Sequence, residues 1–135
     1  MIQVELSKII IDEKRQDQII VLKEKNGERQ FPIVIGFLEA SSIKMKLSGV
    51  ETPRPMTHDL LVAVINGLEA KMESLYIDQM INNTFHAKVE LKGQDGKKIA
   101  IDARPSDGIA LAVRCDAPIF VDEEVLKKTA IFKSN

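Results

Sequence analysis

The chain has 135 residues, and its 19 basic and 20 acidic side chains give a net charge of -1. This balance argues against a protein that coats nucleic acid, because such a protein owes its affinity to clustered Lys and Arg. No apolar run of about 18 residues, secretory signal or lipidation motif is present, so we expect no membrane association. The single cysteine, Cys115, permits no internal disulfide, and we therefore expect a reducing, cytoplasmic environment.

The first third of the chain predicts three strands and then a helix. Residues 2–11 and 18–25 are rich in β-branched and apolar side chains, and Asn26-Gly27 predicts a hairpin with a type I′ turn before a third strand, ERQFPIVIG. Pro32 has no N–H to donate, so this strand is expected at a sheet edge or with a bulge. The segment FLEASSIKMKL then has the apolar spacing of a helix.

A second helix is expected to begin at Thr57, whose hydroxyl would cap the free N–H groups of the first turn. The apolar stripe that we expect to face the core consists of Leu60, Leu61, Val64, Ile65 and Leu68. Residues 71–80 predict a strand with apolar side chains on both faces, and each face would need another layer of the protein or a partner subunit packed against it. The next strand, TFHAKVELK, alternates, and its inward side chains should be Phe85, Ala87, Val89 and Leu91.

The remainder predicts a strand in KKIAID, a helix over about 106–115, a short strand in PIFV, and a short helix in DEEVLKKT capped by Asp122. Strand runs interrupted by helices, with several hairpins, indicate an α+β fold. We expect one domain over residues 1–135, built on a mainly antiparallel sheet with three to four helices.

Two short stretches share one pattern: TPRPMTHDLL over 52–61 and DARPSDGIAL over 102–111. Each has an arginine before a proline, then a hydroxyl residue at an expected helix start (Thr57 or Ser106), then an aspartate in the first turn (Asp59 or Asp107). A structural explanation suffices for either stretch alone, because a cap contributes about 1 kcal/mol and an N-terminal carboxylate some 0.3–1 kcal/mol.

The two stretches together also suggest chemistry. Helix N-termini and arginines attract phosphate, aspartates can hold a divalent metal, and a histidine can move protons near neutral pH. If the two helix starts converge, they would supply the groups needed to cleave a phosphodiester bond. The residues that would then share one pocket are Arg54, His58, Asp59, Asp102, Arg104 and Asp107.

The blocks PRPMTHDLL and DARPSDGIALA and the ending PIFVDEEVL resemble the bifunctional nuclease domain family. The resemblance extends from about Met1 to Leu126. It implies an α+β domain and a nuclease activity on both DNA and RNA, as reported for some relatives, so nucleic acid is the implied substrate.

The resemblance also implies roles for individual positions. Arg54 and Arg104 would neutralise phosphate, and Thr57 and Ser106 would help to bind the substrate. His58 would be the general acid or base. Asp59, Asp102 and Asp107 would orient it or bind a divalent metal such as Mg²⁺ or Mn²⁺, for which Glu39 is a fourth carboxylate candidate.

Two other interpretations remain open at this point. The chain could be a binding module that recognises an anion or a partner protein without cleaving it, since its charge is balanced and only 4% of its residues are aromatic, too few for an evident platform on which bases stack. It could also be a purely structural homo-oligomer. A homo-oligomer is expected in either case, because the two-faced strand over 71–80 and the edge strand at Pro32 need covering. His86 is expected in solvent, and nothing indicates a lowered thiol pKa at Cys115.

Overall fold

A computed structural model describes residues 1–132, with side chains described as far as Ala130. The strands are β1 (Ile2–Ile10), β2 (Asp17–Glu24), β3 (Arg29–Gly36), β4 (Lys71–Ile81), β5 (Thr84–Lys92), β6 (Lys98–Ala103), β7 (Ile119–Val121) and β8 (Ile131–Phe132). The helices are α1 (Phe37–Leu47), α2 (Thr57–Gly67), α3 (Pro105–Cys115) and α4 (Glu123–Thr129). The predicted α+β class is confirmed. None of the described helices has the length and apolar character needed to span a bilayer.

All of these strands form one sheet in the order β6-β5-β4-β7-β1-β2-β3-β8. Every pairing is antiparallel except that between β4 and β7. The sheet is strongly curved, since the ring centroids of Phe31 on β3 and Phe85 on β5 lie 5.8 Å apart although four strands separate β3 from β5 in the sheet order. The core therefore lies inside the curve. β8 pairs with β3 only at Arg29 and Gln30, so Pro32 sits on an open edge as expected.

The turn between β2 and β3 differs from the sequence expectation. The β2–β3 connection spans four residues, 25–28, and neither Asn26 nor Gly27 has a positive φ, so the predicted type I′ turn there is wrong. The β4–β5 connection is instead the tight one. Its two residues, Asn82 and Asn83, have φ values of 51° and 61°, the left-handed backbone that a type I′ turn requires.

The expectation that β4 buries apolar side chains on both faces is wrong. The pairing of β4 with β5 shifts register between Met72 and Ser74 and again between Ile77 and Gln79. Each shift places an extra residue in β4, which is a β-bulge. The first bulge turns Met72 to the same side as Leu75 and Ile77, and all three are buried. Only one face of this strand therefore needs to pack against the rest of the core.

α3 is the central helix of the fold. It contacts α1 and α2 and also β4 and β5, and its buried residues include Ile109, Ala110, Leu111 and Ala112. Small residues allow this close packing: a side chain at Gly108 would overlap Leu75 of β4. As a result the N-terminal turn of α3 is held firmly between the sheet and the other two helices.

The predicted core stripe of α2 is confirmed at Ile65 and wrong at its other four residues. Leu60, Leu61, Val64 and Leu68 are 57%, 41%, 48% and 71% exposed. The helix instead packs by the face that carries His58, Val62 and Ile65, which are spaced by four and three residues; His58 is buried and the other two are half-buried. α2 is apolar on nearly all sides, so periodicity could not distinguish its inner face from its outer one.

Candidate functional site

The two helix starts predicted from the sequence meet in the structure. His58 lies in the first turn of α2 and Asp107 in the first turn of α3, and His58 Nε2 is 2.9 Å from Asp107 Oδ1. The imidazole is buried, while the carboxylate of Asp107 is 30% exposed. A histidine is thus held between two helices at the edge of a cleft of about 290 Å³ that reaches solvent.

Local sequence explains how each helix begins, although not by the caps that we expected. The N-cap of α2 is Met56 rather than Thr57, and the Met56 N–H donates to Asp59 Oδ2 at 2.9 Å. The N-cap of α3 is Arg104 rather than Ser106, because Pro105 occupies the first helical position, where its missing N–H costs nothing. The aspartates therefore stabilise these helix starts, and the predicted hydroxyl caps are wrong.

The His58 ring also contacts a residue that sequence analysis did not identify. Its Nδ1 is 2.7 Å from the hydroxyl oxygen of Ser42 on α1. An ionised carboxylate can only accept, so Asp107 requires a hydrogen on Nε2, and a neutral ring with that tautomer leaves Nδ1 free to accept from the Ser42 hydroxyl. The three groups form a continuous chain from hydroxyl to imidazole to carboxylate.

Arg104 lies at the mouth of this cleft and joins two carboxylates. Its Nε donates to Asp107 Oδ2 at 2.9 Å and its Nη2 to Glu39 Oε1 at 3.2 Å. The hydrogen bond and charge of Asp107 raise the pKa of the Arg104 guanidinium above its usual value. The side chain is nevertheless 67% exposed, and Nη1 makes no hydrogen bond to the described residues.

A second arginine, Arg114, completes the cluster from the last turn of α3. Its side chain is only 7% exposed; its Nη2 donates to Ser42 Oγ at 3.0 Å and its Nε to Asp59 Oδ1 at 2.8 Å. The hydrogen bond from Arg114, together with that from the Met56 N–H, lowers the pKa of Asp59. Sequence analysis missed both Arg114 and Ser42. One signal was present, since Arg114 follows Asp107 by seven residues, two helical turns along the same face.

The structure does not bring all of the predicted site residues to this cleft. Thr57 lines it, but Arg54 is exposed in the preceding loop and does not. Asp102 lies on β6, where it is 76% exposed and contacts Lys88 at 3.4 Å. Ser106 is buried and lines a different cleft. Asp59 lines a separate cleft with Arg114. The expectation of a single pocket shared by all six charged residues is therefore wrong for Arg54, Asp59 and Asp102.

The four carboxylates considered as metal ligands are dispersed. Glu39 and Asp107 share Arg104, whereas Asp59 is paired with Arg114 and Asp102 with Lys88. Within residues 1–132, no three His, Cys, Asp or Glu side chains are grouped so that they could hold a metal ion. The described protein groups alone therefore provide no cage of the kind that binds a structural metal.

A larger cleft of about 600 Å³ lies beside the first, and Arg104 lines both. It runs along the open edge of β3 and past Phe85, and its other charged lining residue is Asp17. Its lining includes no histidine and Asp17 is its one carboxylate, so its size does not make it the better candidate for chemistry. It provides space next to Arg104 into which a long ligand could extend.

The remaining histidine and the cysteine lie elsewhere in the structure. His86 is half-buried on β5, opposite Gln79, rather than fully in solvent. Cys115 ends α3, and burial raises the pKa of its thiol, as expected for a residue without nucleophilic activation.

Comparison with known proteins gives the family. The sequence model described as the bifunctional nuclease domain matches residues 20–134. An uncharacterized protein of Mycobacterium tuberculosis is 36% identical over 123 residues, which cover 91% of this chain and 73% of that protein. Bifunctional nuclease 1 of rice (Oryza sativa subsp. japonica) is 27% identical over 78% of this chain, and bifunctional nuclease 2 of Arabidopsis thaliana 24% over 77%. The matched regions span about a third of those plant proteins, 33% and 32%. The chain belongs to the bifunctional nuclease domain family.

Proposed function

We propose that this protein hydrolyses phosphodiester bonds of DNA and RNA in the cleft between α1, α2 and α3. The observation that carries the proposal is the buried His58, held by Asp107 on one ring nitrogen and by the Ser42 hydroxyl on the other, beside the exposed Arg104. Membership of the family and the names of its plant relatives support a nuclease-type function.

Each group has a role in such a reaction. The exposed Arg104 donates from Nη1 to a phosphate oxygen, which neutralises charge as the transition state forms. His58 moves a proton, and Asp107 holds the ring in one tautomer and stabilises it when it is protonated. The adjoining larger cleft accommodates the nucleotides next to the bond that is cut.

The charge balance of the site predicts how the protein binds. Two arginines face three carboxylates, those of Glu39, Asp59 and Asp107. A substrate phosphate therefore gains few cationic contacts, and we expect weak affinity with a shallow salt dependence, about one counterion released for each phosphate neutralised.

The experiment compares two histidine substitutions. His58→Gln should lower cleavage of single-stranded DNA and RNA by about 10²–10⁴-fold, because it removes the proton-transfer group. His86→Gln is the matched control, since His86 lies on β5 and does not line the His58 cleft. Each protein is assayed with Mg²⁺, with Mn²⁺ and with EDTA. Equal cleavage by both variants would mean that the activity is a contaminant or lies at another site.

The alternative is a non-catalytic module that binds an anion or a partner protein. The observation that favours it is that both arginines of the cleft are already paired with carboxylates. Little positive charge therefore remains to bind and cleave a polyanion. Binding of an oligonucleotide by fluorescence anisotropy without cleavage under any metal condition would select this alternative.

We also propose that the chain self-associates through the outer face of α2. Its exposed apolar residues follow one another along the helix: Leu60, Leu61, Val64 and Leu68. Patches of this kind commonly mark interfaces, and most soluble homo-oligomers have closed symmetry. Light scattering at micromolar concentration should give a multiple of 15.1 kDa. Leu61→Glu should reduce that mass, and a wild-type mass of a single chain would refute the proposal.

A further inference from the structure

We propose that Ser42 is the nucleophile of this site and that cleavage proceeds through a covalent phosphoseryl intermediate. This inference rests on the proposed phosphodiester chemistry and adds a step to it. The serine lies on α1, sixteen residues before the histidine that it contacts, and no motif in the sequence connects them.

The hydrogen bonds around Ser42 match those that activate a hydroxyl. A serine hydroxyl has one hydrogen to donate and two lone pairs to accept with. With Nε2 protonated toward Asp107, a neutral ring accepts at Nδ1 from the Ser42 hydroxyl, whose oxygen is 2.7 Å from that nitrogen, and Arg114 Nη2 donates to the same oxygen at 3.0 Å. The base can remove the proton while the guanidinium stabilises the negative oxygen that remains, which is the requirement for a nucleophilic serine.

The histidine is in turn oriented by Asp107, which completes the order of nucleophile, base and carboxylate found in serine hydrolases. The ring nitrogens are used in the opposite sense: the carboxylate contacts Nε2 and the hydroxyl Nδ1. A neutral imidazole has one donor and one acceptor nitrogen whichever tautomer it adopts, so the reversed ring performs the same proton transfer.

Arg114 is fixed in place independently of any substrate. Its other contacts are the Asp59 carboxylate at 2.8 Å and the backbone oxygens of Ala110 at 2.9 Å and Ser42 at 3.3 Å. Because its side chain is only 7% exposed, it is poorly placed to collect a phosphate from solvent. Its guanidinium is therefore assigned to the Ser42 oxygen, while the exposed Arg104 is assigned to the substrate.

The reaction has two balanced steps. In the first, the Ser42 oxygen forms a bond to phosphorus and its proton passes to His58 Nδ1; the bond from phosphorus to the leaving nucleoside oxygen breaks on the opposite side, and that oxygen takes a proton from a solvent water, which becomes hydroxide. In the second, the hydroxide attacks phosphorus from the side that the nucleoside left, and Ser42 leaves and regains its proton from His58 Nδ1. The net change is the addition of one water to one phosphodiester.

The test combines a chemical probe with cleavage. Diisopropyl fluorophosphate phosphorylates an activated serine and releases fluoride, whatever the natural substrate is. Wild-type protein should be labelled on the peptide that contains Ser42, as read by mass spectrometry, and His58→Gln should label at least about 10²-fold more slowly because it lacks the base. Ser42→Ala should lose the label and lower cleavage by about 10³-fold or more.

Ser48→Ala is the matched control, because Ser48 lies at the end of α1, does not line the His58 cleft, and its hydroxyl makes no hydrogen bond among the described residues. It should label and cleave as the wild type does. Circular dichroism of each variant establishes that the fold is retained.

The outcomes separate the two proposals. If the wild type cleaves and Ser42→Ala cleaves equally well, the nucleophile assignment is overturned while the nuclease proposal stands. If Ser42 is labelled in the wild type but only slowly in His58→Gln, and no nucleic acid is cut, the nuclease proposal is overturned. The assignment of Ser42 as an activated nucleophile then stands. If Ser42 resists the probe while a known serine hydrolase in the same tube is labelled, the assignment is overturned.

Discussion

Gly108 of α3 offers a direct test of how the fold holds the site. A Cβ on this residue would overlap Leu75 Cδ1, far inside the roughly 3.5–4.0 Å of an ordinary carbon contact. Leu75 is fully buried, so it cannot turn away into solvent. Gly108→Ala must therefore push α3 away from β4 or force Leu75 out of its rotamer.

Two opposing effects set the change in the free energy of unfolding for Gly108→Ala. Overpacking of a core usually costs about 1–3 kcal/mol, and replacing glycine by alanine inside a helix returns roughly 1 kcal/mol. We expect a net loss of up to about 2 kcal/mol for Gly108→Ala. Gly67→Ala is the control, because a Cβ there meets nothing within 4 Å and the site is the last residue of α2. This variant should be neutral or gain up to about 1 kcal/mol.

Urea unfolding of both variants measures these values, and a double-mutant cycle assigns their cause. In a Leu75→Ala background the space is open, so adding Gly108→Ala should no longer destabilise, and the coupling should be about 1–3 kcal/mol. A cost for Gly108→Ala that is the same in both backgrounds would refute the steric argument.

The same substitution should also affect chemistry if the proposed site is correct. Gly108 directly follows Asp107, so a displacement of α3 from the sheet would shift the carboxylate away from His58 Nε2. Misplacement by about 1 Å can cost on the order of 10²-fold in rate. The cleavage rate of Gly108→Ala should therefore fall by more than the decrease in the folded fraction of the protein explains. Gly67→Ala should cleave at the wild-type rate.

Two further predictions follow from burial and charge. Ile109→Ala should cost about 2–5 kcal/mol because Ile109 is fully buried, whereas Leu61→Ala should cost about 1 kcal/mol because Leu61 is 41% exposed. Urea unfolding at low protein concentration measures both costs, and equal values would contradict the observed orientation of α2. The pKa of Asp59 is lowered by Arg114, so its ion pair adds stability that is present above the ordinary carboxyl pKa and is lost as the pH falls through the folded value. Asp59→Asn should cost no more than about 1 kcal/mol at pH 7, because the carboxylate is 40% exposed. Between about pH 5 and pH 3 this variant should lose less stability than the wild type does. Parallel plots of unfolding free energy against pH for the two proteins would contradict this.

Much of the fold was predictable because its signals are local. The alternation in TFHAKVELK correctly placed Ala87, Val89 and Leu91 inward, since side chains of a strand alternate between faces. Asp122 caps α4 as predicted, with its side chain accepting from the Glu124 N–H at 2.9 Å. Both results depend only on residues close together in the chain.

Predictions failed where a second element decided the outcome. Met72 lies on the same face as Leu75 because of a bulge, and the position of a bulge depends on how β5 pairs with β4. The outer stripe of α2 is as apolar as many core stripes, and which side packs inward is set by where α3 and the sheet lie.

The sequence by itself determined where the helices and strands form and that two similar helix starts carry arginine, aspartate and, in one case, histidine. Only the tertiary structure brought His58 to Asp107 across 49 residues and Ser42 to Arg114 across 72, and only it left Asp102 outside with Lys88. The physical reason is that capping and side-chain alternation act within a few residues, whereas side-chain contacts between helices depend on how the curved sheet and the close packing at Gly108 position them.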